Sequence, residues 1–341
     1  MNLKQSLFIA LLLSIAGLGT WEIYWRTKGF YPTLDDDKDL WAVQRAKVEK
    51  ATEQDVLLTG SSRILFDIQL DEWERETGRR PIQLAYVGSS PLPVFHDIVE
   101  NTNFNGTVVV GVTPGLFFST TNPKANPWEW PQSRVDHYHN RTYAQILNHK
   151  FSLPLQENLA FLSEDQGIDG LKLKELLGKI QLGNRIPNNM PPFHEFGEIA
   201  RDRNLKMKEI AVRDTAYANS IIKVWMFFAK DAPPPDKEAT LNFFLKDLEK
   251  FKARGGQVIL VRCPSSGGLR EGERMRLPRN EFWDLLVQKA QVKSYHFEDY
   301  EKLQFECPEW SHLSATDASV FTTELVKIMQ KDNALPHSKN L

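Results

Sequence analysis

The chain reads as an α/β protein: a three-layer, doubly wound parallel sheet of five strands in the order 2-1-3-4-5, carrying a helical insertion. Three observations predict this. Short β-branched runs alternate with longer helical patterns, the runs are apolar nearly throughout, and small residues follow the first three of them. Continuous apolar runs suit strands covered on both faces, and alternation with helices suits parallel crossovers.

The runs fall at 56–59, 81–87, 107–112, 257–261 and 292–297. Before the fourth, Leu241, Phe244, Leu245, Leu248 and Phe251 make an apolar helical stripe that Gly255-Gly256 ends. After the fifth, Ser314 caps a last helix with Asp317 three residues on, and Ala318, Phe321, Leu325 and Ile328 share one side. The stretch between the third and fourth runs is far longer than one crossover helix needs. It holds a Pro- and Trp-rich segment at 122–131, helical patterns at 171–180 and 196–228, and a loop at 186–193. The expectation is a helical insertion over about 119–235, capping the sheet's C-terminal edge within one domain spanning 51–335.

The first residues differ from the rest. Residues 7–21 carry no charge; Lys4 precedes them, Glu22, Arg26 and Lys28 follow, and Trp21, Tyr24 and Trp25 mark the far boundary. A spanning helix takes roughly 20 apolar residues, with aromatic side chains at the headgroups. A signal anchor is expected at 6–26 behind a short flank at 1–5, which would place the domain in the periplasm or outside the cell. A cleaved signal peptide is the rival, with Ala16, Gly17 and Gly19 as cleavage-site residues. Residues 27–50 are expected to be a juxtamembrane connector.

The 341 residues hold 42 Lys and Arg against 44 Asp and Glu, a formal charge of -2 with both signs mixed. No basic excess exists to neutralise a phosphate backbone, so nucleic acid is not an expected partner. Two cysteines, Cys263 and Cys307, are too few for a disulfide scaffold; they either pair or stand as two buried thiols. No cofactor is expected.

The first run leads into Gly60-Ser61-Ser62-Arg63, the second into Gly88-Ser89-Ser90-Pro91, and the third through Gly111 into Thr113-Pro114. Ligands of open α/β sheets bind outside the carboxyl ends of the strands, where small residues let a substrate approach the backbone. Near the C-terminus stands Glu309-Trp310-Ser311-His312, directly before the capped helix. The acid can orient the imidazole, and the imidazole can take a proton from a serine. Ser62 is the candidate nucleophile, with a helix cap as its plainer role and Ser61, Ser89 and Ser90 as substitutes. Gly88 is a candidate oxyanion donor or an ordinary turn glycine. Arg63 and Arg262 are candidates to hold an anionic or sugar substrate, or to pair with carboxylates. Trp128, Trp130 and Tyr138 either stack on sugar rings or pack the insertion. Asp136-His137-Tyr138-His139 reads as a solvated loop, a lining of the substrate cleft or, with no third ligand marked by spacing, least of all a metal site.

These blocks resemble the SGNH (GDSL-like) hydrolase family over most of 51–330. Gly60-Ser61-Ser62 is similar to its first block, Gly88 to its second, and Glu309 through His312 to its Asp-x-x-His block, with Glu for Asp. Gly111-Val112-Thr113-Pro114 stands where the family has Gly-x-Asn-Asp, so the oxyanion-binding Asn is absent unless Thr113 replaces it. The opening, the anchor and Thr113-Pro114 resemble a membrane-anchored subset that includes teichoic-acid D-alanylation and alginate O-acetylation proteins. The resemblance implies a flavodoxin-like fold, a Ser62 nucleophile, a His312 base and a serine esterase or O-acyltransferase acting on a cell-surface polysaccharide, with a membrane-bound acyltransferase as a further partner. A catalytically silent scaffold binding glycan or such a partner is the alternative, and a lipase or esterase with a soluble substrate the third.

Overall fold

The computed structural model describes residues 2–122, 124–162, 191–193, 195–230 and 232–336. Five strands form one parallel sheet: β1 (Val56–Thr59), β2 (Ile82–Gln83), β3 (Thr107–Gly111), β6 (Gln257–Arg262) and β7 (Lys293–His296), in spatial order β2-β1-β3-β6-β7. An antiparallel pair, β4 (Gly197–Ile199) and β5 (Leu205–Met207), stands apart from it. The expected class, a parallel five-stranded sheet flanked by helices, is therefore the observed one.

Period-2 alternation along the strands divides the interior into two clusters. Leu58, Val109, Ile259 and Val261 point to one face, where the helices Ser62–Asp67, Leu70–Thr77 and Ala315–Lys331 cover them with Leu65, Phe66, Trp73, Phe321 and Leu325. Leu57, Val108, Val110, Val258 and Leu260 point to the other, beneath the helices Leu92–Asn101, Lys237–Ala253 and Trp283–Ala290. Apolar residues at every strand position, not every second one, follow from this double coverage.

Three segments depart from the sequence reading. The helix Lys38–Lys47 lies in the stretch expected to be a connector, yet Trp41 is fully buried in the second cluster and its indole N–H donates to the Leu84 carbonyl at 3.0 Å. Residues 196–228, expected to be helical, begin with the β4–β5 hairpin and only then form the helices Glu209–Arg213 and Thr215–Lys230. The hairpin turn passes through Arg203 at φ 65°, held by a salt bridge to Asp36 at 2.7 Å and a bond to the Gln83 carbonyl at 3.1 Å. Asp136-His137-Tyr138-His139, read first as a solvated loop, lies within the helix Asn126–Asn140. The helical pattern at 171–180 and most of the 186–193 loop lie outside the described residues.

The chain divides into two compact units. One comprises Met1–Asp35 and Thr142–Asn189, the other Asp36–Arg141 and Met190–Leu341. In the first, the helix Leu3–Thr27 has a mean hydropathy of 1.7 in its most apolar window and no buried residue, long and apolar enough to span a membrane or to serve as a signal sequence. Within this unit Glu22 accepts from the backbone N–H groups of Ala160 and Phe161 at 3.0 and 3.3 Å. The second unit holds the whole parallel sheet.

Candidate active site at the carboxyl ends of the strands

After β1 the chain turns through Gly60 into the short helix Ser62–Asp67. Close approach governs the glycines here: a Cβ on Gly60 would meet Ile64 Cγ1 at 2.7 Å, and one on Gly111 would press into the same side chain. Gly111 is thus explained by packing under this helix. The helix is capped by Ser61, whose hydroxyl accepts from Arg63 N at 3.3 Å and bonds Thr113 Oγ1 at 2.7 Å, joining the ends of β1 and β3. Strand order reverses between these two strands, the switch point at which α/β sheets bind ligands. Capping, the plainer role for Ser62, therefore belongs to Ser61. Ser62 is half-buried, and its hydroxyl forms no hydrogen bond among the described residues. Ser89 donates to the Val87 carbonyl at 3.2 Å and Ser90 accepts from Leu92 N at 3.3 Å, so both alternative serines have local partners.

The His312 loop is held by a tight turn. Trp310 has φ 74° and donates its N–H to the Cys307 carbonyl at 3.0 Å; its indole lies against Gly267, where a Cβ would overlap it. Ser266 ties the turn down by donating its N–H to the Trp310 carbonyl and accepting from Cys307 N at 2.8 Å. This turn sends Glu309 and His312 inward, 0% and 1% exposed. Glu309 Oε1 receives the backbone N–H of His312 at 2.6 Å and lies 2.9 Å from its Nδ1. Glu309 Oε2 receives the indole N–H of Trp225. A carboxylate at Nδ1 fixes the tautomer with its proton there and leaves Nε2 a lone pair. Nε2 is buried with no hydrogen-bond partner among the described residues. The ring sits in an aromatic cage, with centroids 4.6 Å from Phe66, 5.6 Å from Phe196 and 5.8 Å from Trp225. Phe66 stands one turn beyond Ser62 on the same helix, so the candidate nucleophile's helix carries the ring that packs on the candidate base. Ser62 and His312 share no direct hydrogen bond among the described residues.

Arg63 and Arg262 face inward. Arg63 Nη2 pairs with Glu273 Oε1 at 2.8 Å, and Arg262 Nη2 pairs with Oε2 of the same carboxylate. Burial raises the Glu273 carboxyl, but Arg262 and Arg63 together outweigh it and hold it at about 2. Asp67, fully buried, is pushed the other way, well above the usual carboxylate range, by burial that the Leu313 N–H and Arg63 offset only in part.

Gly88 has φ 63°, and a Cβ there would stand 2.7 Å from the ring of Trp130. Trp130 is 41% exposed, whereas Trp128 is buried with its indole directed at the Ser119 carbonyl, and Tyr138 lies under the Arg45 guanidinium. Trp130 is thus the one of the three in the neighbourhood of Gly88. His137 and His139 do not converge: two residues apart on a helix they point roughly 200° apart, and their Nε2 atoms bond Asp39 at 2.8 Å and Asp97 at 2.7 Å. Cys263 and Cys307 are both free thiols, buried in the first cluster.

Phe66, Asp67, Phe196, Trp225 and Glu273 complete the site and were not singled out by sequence. Asp67 stands in an apolar run between Phe66 and Ile68, Glu273 in a largely charged one, neither with a motif, and Trp225 reads as one more apolar position in a helix. Compared with known proteins, the chain matches no family model and no curated sequence.

Proposed function

We propose that this chain is an SGNH-type serine esterase or O-acyltransferase with the flavodoxin-like topology of that family, acting outside the cytoplasm on acyl groups of a cell-envelope polysaccharide. The observation that carries the reading is the buried Glu309–His312 pair with Nε2 unpartnered, packed on the helix that Ser62 opens. In this mechanism Ser62 Oγ bonds the acyl carbon while its proton passes to His312 Nε2, and Glu309 stabilises the imidazolium. The carbonyl oxygen becomes an oxyanion at the backbone N–H groups of Ser62 and Gly88. Collapse breaks the ester C–O bond, and the imidazolium returns its proton to the leaving alcohol. Water or a sugar hydroxyl, deprotonated by His312, then bonds the acyl carbon; the bond to Ser62 Oγ breaks and the imidazolium returns the proton to that oxygen. The apolar N-terminal helix supports a site held close to a membrane, where a cell-surface polymer or a membrane-bound acyltransferase is within reach.

One observation favours a second reading. Thr113, which occupies the place of the family's oxyanion-binding Asn, is bonded to Ser61; removing one such donor costs about 3–4 kcal/mol in the barrier. A silent scaffold that binds glycan or an acyltransferase partner fits that loss. Release of p-nitrophenol from p-nitrophenyl acetate by the full chain in detergent micelles, beside Ser62→Ala and His312→Ala, separates the two. Activity abolished by both substitutions supports the serine mechanism. A parent that neither turns over nor is labelled by a serine-reactive phosphonate leaves the scaffold.

A further inference from the structure

The helix Ser62–Asp67 does more than present Ser62, because it grips the His312 loop on both sides of the histidine. Arg63 Nε donates to Ser311 Oγ at 3.4 Å, and Leu313 N donates to Asp67 Oδ1 at 2.9 Å. Between these grips Phe66 lies against the imidazole. The chain from Ser311 to Leu313 and the helix from Arg63 to Asp67 thus close a ring of contacts around His312. Arg63 is 3% exposed and Asp67 fully buried, so water does not compete for either bond.

The far end of the helix is braced too. Thr322 Oγ1, on the helix that follows His312, donates to the Asp67 carbonyl at 3.1 Å and accepts from Gln69 N at 2.8 Å. Arg63 is in turn anchored by Glu273. We infer that Asp67 and Arg63 are positioning residues that set the reach of His312 Nε2 toward Ser62. This inference rests on the serine reading for its catalytic meaning, but its geometric content is independent of it.

The chemistry of Asp67 sharpens the inference. Oδ1 accepts one N–H, while Oδ2 is buried without a partner, as is Nη1 of Arg63 one turn earlier. Burial keeps this carboxyl protonated well beyond the usual range. An amide has the shape of the carboxyl and keeps an oxygen where Oδ1 accepts the Leu313 N–H. The work assigned to Asp67 is acceptance of the Leu313 N–H, and asparagine preserves it.

The test uses the full chain in detergent micelles with three substitutions, each checked for folding by far-UV circular dichroism. Asp67→Ala removes the acceptor, Asp67→Asn restores it, and Ser311→Ala, small enough to leave the fold intact, releases the grip from Arg63. A displacement of about 1 Å can cost a hundredfold in rate. The Asp67→Ala variant is expected to lose about 10- to 100-fold in kcat for p-nitrophenyl acetate with KM within about twofold, since Asp67 is fully buried and offers no surface to the ester. Asp67→Asn recovers most of the loss, and Ser311→Ala loses about 3- to 10-fold in kcat.

The second readout needs no substrate. In chain labelled with 13C-histidine, the His312 ring resonance shifts or broadens in Asp67→Ala and Ser311→Ala, returns in Asp67→Asn, and those of His96, His137 and His139 hold still. An unchanged His312 resonance in Asp67→Ala and Ser311→Ala overturns the inference. So does equal loss in Asp67→Ala and Asp67→Asn, which would make the carboxylate charge the requirement. If Ser62→Ala retains parental activity the serine reading fails, and the resonance still decides whether Asp67 positions His312.

Discussion

Replacing Glu273 by glutamine tests whether the arginines behind Ser62 are held by one carboxylate. Two guanidiniums, both buried, share the two oxygens of Glu273, and the substitution removes the carboxylate charge bonded to both while keeping the volume. A carboxyl held at about 2, where an unconstrained glutamate titrates near 4.5, represents about 3 kcal/mol of preference for the charged form at neutral pH. Breaking a buried pair from one side costs about 3–5 kcal/mol by the independent route of uncompensated charge. The two agree, and in a protein of this size they correspond to about 5–10 °C in Tm. Because the folded carboxyl titrates below the unfolded one, the stabilisation is complete above about pH 5 and is lost as pH falls toward 2. Urea unfolding followed by far-UV circular dichroism should therefore show Glu273→Gln less stable by about 3 kcal/mol at pH 7, with the gap closing near pH 3. Adding Arg262→Met to Glu273→Gln removes one uncompensated guanidinium and should recover part of the loss. A gap below about 1 kcal/mol at pH 7, the value of an exposed pair, or one that stays constant from pH 7 to pH 3, would mean that the Glu273 carboxylate does not hold the two arginines.

Two further outcomes follow from the same geometry. Gly111→Ala forces a Cβ into Ile64 and should destabilise by about 1–3 kcal/mol in a thermal melt; Ile64→Ala in the same chain should return part of that cost, and a non-additive double-mutant cycle is the check. Trp225→Phe removes the indole N–H from Glu309 and leaves a buried carboxylate oxygen unsatisfied, at about 1–3 kcal/mol. Its kcat for p-nitrophenyl acetate should fall about 5- to 50-fold with KM unchanged; an unaltered kcat would show that His312 does not depend on this bond.

The parallel sheet was legible because both-face burial leaves a local mark. In β1, β3 and β6 every position from Val56 to Thr59, Thr107 to Gly111 and Val258 to Arg262 is buried. The second strand was overestimated: 81–87 was expected and only Ile82–Gln83 is regular strand, although Leu84 N and Tyr86 N still donate to the Leu58 and Gly60 carbonyls at 2.8 and 3.1 Å. Beyond it Gln83 turns its own side chain to accept from Ala85 N at 3.0 Å, so a residue that sequence assigns to a strand substitutes for a strand partner. The β4–β5 hairpin was missed because its alternation, Leu205 and Met207 buried with Lys206 exposed, lasts only three residues. The helix Lys38–Lys47 was legible as a polar helix-like stretch after the acidic run Asp35 to Asp37; its burial was not. Its buried face includes Gln44 and Arg45; the half-exposed Glu49 takes one arm of the guanidinium, but its buried partner is Asp97, 52 residues away at 2.5 Å. No window of local sequence holds both halves of that pair.

The same distinction separates what was readable in the site from what was not. The Gly-Ser-Ser turn and the Glu-x-x-His turn are each shorter than five residues, so the backbone alone brings their parts together, and a motif records them. The groups that decide how those turns behave arrive from elsewhere: Trp225 reaches Glu309 across 84 residues, Glu273 reaches Arg63 across 210, and Leu313 reaches Asp67 across 246. Arg63 and Arg262 illustrate the consequence. Placed at strand ends by sequence, they look available to an anionic ligand; the carboxylate that occupies both is carried by the helix Gly267–Arg276, whose sequence is polar but for Leu269 and Met275 and marks no core-facing stripe. A motif therefore identifies the group able to react, and the folded chain determines which charges remain available to a substrate. Ser62 opens a helix whose own arginine, like Arg262 at the end of β6, is already committed to Glu273 and is not free to pair with an anion.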